Sequence, residues 1–257
     1  MPSHERWNSK FQIKEGTWVF VPTEETIAKG LLVKKLIEDN WSAPNYYYHL
    51  RRGGHIRALR KHLKNRYFIH LDIQNFFGQI NRSRVTRSLK EHFPYEIARE
   101  FAVESTVRLP DSTIPKYILP FGFVQSPIIA SICLSKSALG CHLARLARQR
   151  DFRLSVYMDD ILVSSKDTEE LEHQMALIKA ASEKSGLPLH PTIKEGAEDS
   201  VTAFNIRISQ GSLEITPNRF EELARSFSNS TNTCQRAGIL NYVLSVNHDQ
   251  ADFLIRT

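Results

Sequence analysis

Three aspartates are the residues best suited to do chemistry in this chain. Asp159 and Asp160 stand side by side within the stretch 154–165, and Asp72 closes an apolar run at 67–71 far upstream. Adjacent carboxylates repel, and partial burial raises their pKa values. A divalent cation removes that penalty, and hard oxygen ligands suit Mg²⁺. Three carboxylates converging from two adjacent strands can hold a pair of ions. That arrangement serves an in-line phosphoryl displacement, with one ion activating the attacking oxygen and the other steadying the leaving pyrophosphate. Taken alone, an Asp-Asp pair is also an ordinary turn, so the argument rests on what surrounds it.

Positioning such acids requires strands. Apolar, β-branched runs flank Asp159-Asp160 and read as a hairpin. The run ending at Asp72 reads as a third strand. Residues 1–25 read as an irregular or short-stranded lead. Residues 24–38 have helical spacing, with Ile27, Leu31, Leu32 and Leu36 on one face and Thr23 as the cap. Residues 82–104 read as helices and 105–118 as a loop. A turn-rich segment at 119–127 leads into one long helix, 128–149, closing with Arg145, Arg148 and Arg150. Residues 168–185 form an amphipathic helix capped by Thr168 and ended by Gly186. Residues 187–194 read as a proline-broken edge strand. Residues 202–209 and 212–215 make a hairpin around Gln210-Gly211, and 217–257 read as helical.

The composition of the 257 residues is that of a globular chain, with 41% hydrophobic and 24% charged residues. A net charge of +6 favours polyanionic partners. Cys133, Cys141 and Cys234 lie far apart without zinc or disulfide spacing, which implies a reducing compartment. No apolar run approaches membrane-spanning length, and the first ten residues are polar. We therefore expect a cytoplasmic protein with no membrane partner. The segment 44–61 interleaves Tyr46, Tyr47 and Tyr48 with Arg51, Arg52, Arg57, Arg60 and Lys61 around Gly53-Gly54. Such interleaving suits stacking on bases and neutralising phosphates. Arg52, Arg57 and Lys61 are its triphosphate-binding candidates.

Tyr157-Met158-Asp159-Asp160, Leu71-Asp72-Ile73 followed by Phe76-Phe77, and the segment Leu119-Pro120-Phe121-Gly122-Phe123-Val124-Gln125-Ser126-Pro127 between them resemble, in order and spacing, the motifs of reverse transcriptases. The resemblance covers residues 45–215. It implies an α+β right-hand polymerase: fingers and palm with an antiparallel palm sheet backed by helices, and a small helical thumb. Residues 1–70 and 86–118 would be fingers, 71–85 and 119–216 palm with a primer-grip hairpin, and 217–257 thumb. It implies RNA-directed DNA synthesis from dNTPs on an RNA template, giving a DNA product, with two Mg²⁺ ions as cofactor and Mn²⁺ as a substitute. Asp72, Ile73, Asp159 and Asp160 would form the metal set, with Asp160 the less tightly bound acid. Lys194 would be the general acid beside the leaving phosphate. Phe77 would crowd a ribose 2′-OH and so favour dNTPs. Phe121, Gly122 and Gln125 would line the nucleotide site. Tyr157 and Met158 would touch the primer terminus, and Phe204 and Arg207 would belong to the primer grip.

One departure stands out. Reverse transcriptases commonly carry glutamine where this chain has Phe121, and phenylalanine cannot make an amide's hydrogen bonds. The segment 119–127, Arg51-Arg52-Gly53-Gly54-His55 and Ala203-Phe204-Asn205-Ile206 more closely resemble bacterial retron-like enzymes of the antiphage defence-associated group. A small thumb, without an RNase H or integrase-like extension, implies dependence on a dedicated structured non-coding RNA or on self-assembly into a homo-oligomer. An effector protein would be a further partner. Two other readings stay open. One is a template-independent or protein-primed polymerase using Tyr46, Tyr47 or Tyr48 as primer. The other is a non-catalytic RNA-binding module, against which the three acids speak, since unpaired convergent charge is costly.

Overall fold

A computed structural model describes residues 6–14, 16–110, 113–191 and 196–256. The lead is more regular than expected. β1 (Trp7–Lys14) and β2 (Thr17–Pro22) pair as an antiparallel hairpin. α1 (Glu24–Asn40) begins at Thr23, whose side chain accepts from the Thr26 N–H. Its inward face is not the expected one. Thr26, Gly30, Val33 and Ile37 are buried, whereas Leu31 and Leu32 are exposed. The cause is close approach at Gly30, where a Cβ would lie 2.3 Å from Gln125 Oε1. Small residues seat this helix, and the leucines are left outside.

A 3-10 turn at Tyr48–Leu50 precedes α2 (Gly54–Arg60), and β3 (Tyr67–Asp72) follows. After a second 3-10 turn, Phe77–Gln79, come α3 (Arg82–Leu89) and α4 (Tyr95–Ser105). The expected loop contains a short ladder of β4 (Val107–Arg108) and β5 (Tyr117–Ile118). The expected single helix at 128–149 is two, α5 (Ser126–Ser135) and α6 (Ala138–Leu146), bent by 78°. Ser137 caps α6 by accepting from the Gly140 N–H, and a Cβ at Gly140 would sit 1.9 Å from the Leu134 carbonyl oxygen. A capping serine and a close-approach glycine together turn the chain.

β6 (Phe152–Tyr157) and β7 (Asp160–Ser165) form the acidic hairpin. α7 (Thr168–Ser185) is capped by Asp167 rather than Thr168, because the Asp167 carboxylate accepts from the Glu170 N–H at 3.1 Å. It ends as expected at Gly186, in the left-handed region with φ +57°. The expected edge strand at 187–194 reduces to a single bridge between Leu189 and Ile73, with residues 192–194 outside the described residues. The expected strand at 202–209 is broken. Phe204 and Asn205 both have positive φ, 57° and 59°, and turn the chain between β8 (Ser200–Ala203) and β9 (Ile206–Ser209). β10 (Ser212–Ile215) completes a three-stranded sheet ahead of α8 (Pro217–Asn229), α9 (Thr233–Val246) and α10 (His248–Arg256).

The central sheet has the order β3-β7-β6, all antiparallel. Side chains alternate across it with period two. Ile69, Leu71, Val156, Ile161 and Val163 enter the main core with Val85, Ile129, Leu143 and Ile178 of the backing helices. The opposite face carries Phe68, His70 and Asp72 on β3 against Asp160 and Leu162 on β7. Phe68 and Leu162 there join a second core with Val201, Ile208, Leu223 and Val243, which ties the central sheet to the smaller one and to the last helices. The architecture is α+β with an antiparallel sheet backed by helices, as the sequence implies. Among the described residues no single helix is long and apolar enough to cross a membrane, and the bent pair α5–α6 has most of its residues buried in the core.

Candidate active site

The acids meet because two strands end at the same level. Asp72, the last residue of β3, stands directly across from Asp160, the first of β7. Opposed residues of an antiparallel pair have Cβ atoms about 5 Å apart. Asp159 lies in the two-residue turn between β6 and β7, and its carbonyl accepts the Ile73 N–H at 3.1 Å. Asp72 and Asp159 both line one cavity of about 620 Å³, along with Lys14, Thr17, Phe76, Phe121 and His190.

Burial is the first cause that raises the Asp159 pKa, to about 6, and the charges of Asp160 and Asp72 add to it. The Asp72 pKa is also raised, first by burial and then by Asp160. Lys14 opposes the shift at both acids. Asp160 is held differently: its Oδ1 lies 2.6 Å from His70 Nε2. His70 sits two residues before Asp72, on the same face of β3.

The turn itself is strained. Met158 has φ +60°, uncommon for a residue with a side chain. Its N–H donates to His49 Nδ1 at 3.0 Å. Since that nitrogen accepts, the neutral ring carries its proton on Nε2, 2.7 Å from Ser131 Oγ, and Ser131 donates on to the Pro127 carbonyl. Burial pushes the His49 pKa down to about 4, which keeps the ring neutral. Strain of this kind persists only where surrounding structure over-determines it.

Carboxylates whose pKa values are raised first by burial and then by one another fit a hard divalent cation. Among the described residues no group of three or more His, Cys, Asp or Glu encloses an ion unaided. Two carboxylates opening on a cavity are nevertheless the protein share usual for Mg²⁺, which keeps water and takes substrate phosphates as its other ligands. The Ile73 side chain is fully buried hydrocarbon and offers no ligand, so only its carbonyl is suited to that role.

Sequence comparison decides the family. Residues 26–197 match the family described as reverse transcriptase (RNA-dependent DNA polymerase). The chain belongs to the reverse transcriptase family. Reverse transcriptase domains use divalent metal ions, in keeping with the acids just described. A putative enzymatic polyprotein of Cassava vein mosaic virus is 25% identical over 131 residues, 51% of this chain and 19% of the polyprotein. Telomerase from Candida albicans, solved with a fragment of telomeric RNA, superposes with a TM-score of 0.54 at 12% identity, over 90% of this chain and 46% of that one. The foamy viral protease-reverse transcriptase with an RNA/DNA hybrid gives a TM-score of 0.45 at 16% identity, over 73% of this chain and 22% of that one. The chain thus spans about a fifth of the polyprotein and under half of the telomerase chain.

The remaining reverse transcriptase motif residues distribute unevenly. Phe121 lines the acid cavity, and Phe77 packs edge-on behind it with ring centroids 4.7 Å apart. Gly122, at φ +102°, lets this segment run against β2: a Cβ there would be 2.1 Å from the Phe20 carbonyl oxygen. The Phe20 N–H donates to the Phe121 carbonyl. Gln125 is buried between α1 and α4, donating to Ser105 Oγ at 3.3 Å and lying against Gly30, and it does not line the acid cavity. Lys61 lines a separate small cavity with Tyr46, Tyr48 and Arg153. Arg52 and Arg57 are exposed around α2 and do not line the acid cavity either. Lys194 lies outside the described residues.

Tyr157 joins the chemistry to the last helices through aromatic contacts. Its ring meets Phe204 edge-on at 5.1 Å and His55 at 6.1 Å, and His55 meets Tyr242 of α9 at 6.2 Å. Arg207 lies on β9, its guanidinium donating to Ser200 Oγ. Sequence reasoning missed Lys14, His70, His190 and His49. The period of two along β3 places His70 beside Asp72 and could have found it. Lys14 has no comparable signal, because the pairing of the lead is not written in its pattern.

Proposed function

We propose that this chain is an RNA-directed DNA polymerase that copies an RNA template into cDNA by nucleotidyl transfer at Asp72 and Asp159. The observation that carries this reading is the shared cavity: both acids open into it beside Lys14 and Phe121. Asp72, Asp159 and the Ile73 carbonyl would hold two Mg²⁺ ions, with Asp160 steadied by His70. Bound there, the ions supply charge for the triphosphate and activate the primer oxygen. The chain itself supplies position and positive charge. Lys14 suits the triphosphate as a compact cation on a flexible stem. Phe121, braced by Phe77, suits the sugar face of a deoxynucleotide. Tyr157 and Met158, with Phe204, suit the primer terminus. Residues 1–70 and 86–118 are assigned to fingers, 71–85 and 119–216 to palm, and 217–257 to thumb.

The test is primer extension on an RNA template with dNTPs and Mg²⁺. Metal-dependent synthesis by the wild type, absent in Asp159→Asn, is the expected result. Equal RNA retention with no synthesis by either protein would favour a binding module instead.

The template is proposed to be a dedicated structured non-coding RNA, and the setting bacterial antiphage defence in the cytoplasm. The support is the resemblance of residues 51–55, 119–127 and 203–206. Sequencing the nucleic acid that co-purifies from the host tests it: one recurrent RNA with attached cDNA is expected, and random cellular RNA would overturn it. The protein-primed alternative gains nothing from Tyr47, which is fully buried, or from Tyr46 and Tyr48, which open on a separate small cavity and not on the one the acids share.

A further inference from the structure

A second polar cavity lies at the other edge of the central sheet. It is lined by Asn45, Tyr46, Tyr48, Lys61, Gln149 and Arg153, with no carboxylate in its walls. Its volume is about 100 Å³, well below the ~300 Å³ at which pockets take whole small molecules. Lys61 and Arg153 both bear electrostatically on the buried His62 ring, and Arg148 bears on Tyr46. Lys61, just past the end of α2, and Arg153 of β6 therefore line the cavity, while Arg148, just past the end of α6, stands outside its walls but near enough to act on Tyr46. Among the described residues none of the three forms an ion pair. Arg153 is held there by its backbone neighbours, with Nη1 donating to the Arg150 carbonyl at 2.7 Å and the Phe152 carbonyl at 2.9 Å.

Like charges held together are costly unless an anion completes them, and the carboxylates that share a cavity with Arg153 (Asp151, Asp167 and Glu170) belong to a neighbouring cavity, not to this one. Arginine and lysine with tyrosine and asparagine are the side chains that contact phosphate oxygens in nucleic-acid complexes. The cavity is separated from the chemistry. Arg153 lies four residues before Tyr157, about 13 Å along an extended strand, and on the edge away from β3. A phosphate seated here belongs to a part of the polymer outside the acid cavity.

We propose that this pocket anchors a backbone phosphate of the RNA partner, outside the polymerase cleft, through Lys61 and Arg153 in its wall, with Arg148 at its margin holding the adjoining backbone. The inference rests on the reading of the chain as an RNA-copying polymerase and names where its RNA is gripped outside the cleft.

The test compares the full-length wild type with R148Q/R153Q by fluorescence anisotropy over a range of salt. One probe is a long RNA hairpin with single-stranded flanks, and the other a short primer–template duplex that fills only the cleft. Affinity for the long RNA is expected to fall about tenfold or more, with the salt slope shallower by roughly 0.7–0.9 for each phosphate no longer neutralised. Binding and extension of the short duplex should not change. Because Arg153 also braces the backbone, Arg148→Glu alone is the second variant: its side chain is exposed, so its melting temperature should match the wild type while long-RNA binding falls. Long-RNA affinity and salt slope equal to wild type in both variants would overturn the proposal. So would equal loss on both probes, which would mean general charge attraction. Failure of the wild type to extend any primer would strike the polymerase reading alone, since binding is read without synthesis.

Discussion

His70 Nε2 and Asp160 Oδ1 lie 2.6 Å apart, so one of the three acids is engaged by a neighbour on the adjacent strand. Asp72 and Asp159 are left to face the cavity. If the acids hold metal as proposed, His70 would act on the ions through Asp160, as outer partners of metal ligands do. Replacing His70 with Ala should leave the fold intact, because the pair is partly exposed and such contacts contribute ~1 kcal/mol or less. The Mg²⁺ concentration for half-maximal primer extension should rise about tenfold or more. A Mg²⁺ titration of wild type and H70A reads this directly. An unchanged requirement would mean that His70 only fills space.

Asp72 and Asp159 should be indispensable to synthesis and dispensable to folding. Both pKa values are raised by burial and by neighbouring acids, so the charges oppose the folded state when no cation is present. Asp72→Asn and Asp159→Asn should each lower incorporation by at least ~10²–10³-fold, the scale of losing one preorganised electrostatic group. Melting temperatures without metal should hold or rise. EDTA should abolish wild-type extension and excess Mg²⁺ restore it. A protein that retains rate in D159N, or loses its fold there, does not work as described.

Much of this site was legible in the sequence. An apolar run ending in Asp72 and two more flanking Asp159-Asp160 specify strand ends, and carboxylates at strand ends meet when the strands pair. What stayed hidden depended on partners distant in sequence. Leu31 and Leu32 have helical spacing, yet Gly30 sets the contact with Gln125 and turns them outward. Gln125 sits in a motif but serves α1 and α4. Phe204 and Asn205 look like strand residues, and only their left-handed backbone reveals the turn. Lys14 reaches the acids from a lead with no periodic pattern at all.

His62 makes stability depend on pH. It is fully buried, with Nδ1 2.7 Å from Ser164 Oγ and Nε2 2.9 Å from Ser155 Oγ, and burial lowers its pKa to about 3. The unfolded ring, near 6.5, takes up a proton before the folded one does. This contribution is therefore complete above pH 6.5 and is lost as pH falls toward 3, at roughly 1.4 kcal/mol per unit. Urea unfolding between pH 7 and 4 should show that slope added to the one from buried His49, whose pKa is lowered to about 4, and His62→Gln should make the total shallower while lowering stability at pH 7. An identical slope in H62Q would place the dependence elsewhere.

Gly122 couples the N-terminal hairpin to the proposed nucleotide site. A methyl group there would meet the Phe20 carbonyl oxygen at 2.1 Å, at a backbone angle of +102° that side chains avoid. The Phe20–Phe121 hydrogen bond and the strand pairing of Val19 with Phe121 would have to give way. Gly122→Ala should therefore cost about 2 kcal/mol or more, combining backbone strain with a broken hydrogen bond. Lys14 and Phe121 are carried on the two sides of that junction, so the KM for dNTP should rise in the surviving folded fraction. Thermal melting and steady-state kinetics together test it, and a neutral G122A would show that the hairpin is positioned by other interactions.

Phe77 and Phe121 should divide the work of sugar selection between them. Phe121 lines the cavity, while Phe77 is buried behind it and meets it edge-on. Under this arrangement Phe77 acts by holding Phe121 against the place of the 2′-carbon, so shortening either ring should open room for a hydroxyl. Phe77→Val should cost roughly 1–3 kcal/mol of stability, as a buried ring is traded for a smaller side chain. It should also raise the ribonucleotide kcat/KM relative to the deoxyribonucleotide by about tenfold, on the scale of one or two methylenes of pocket volume. Phe121→Val should relax selection as much with a smaller loss of stability, because Phe121 is only partly buried. Competition between dCTP and CTP in single-nucleotide extension measures both. If F121V keeps full discrimination and F77V loses it, Phe77 itself meets the sugar and the cavity must rearrange when nucleotide binds.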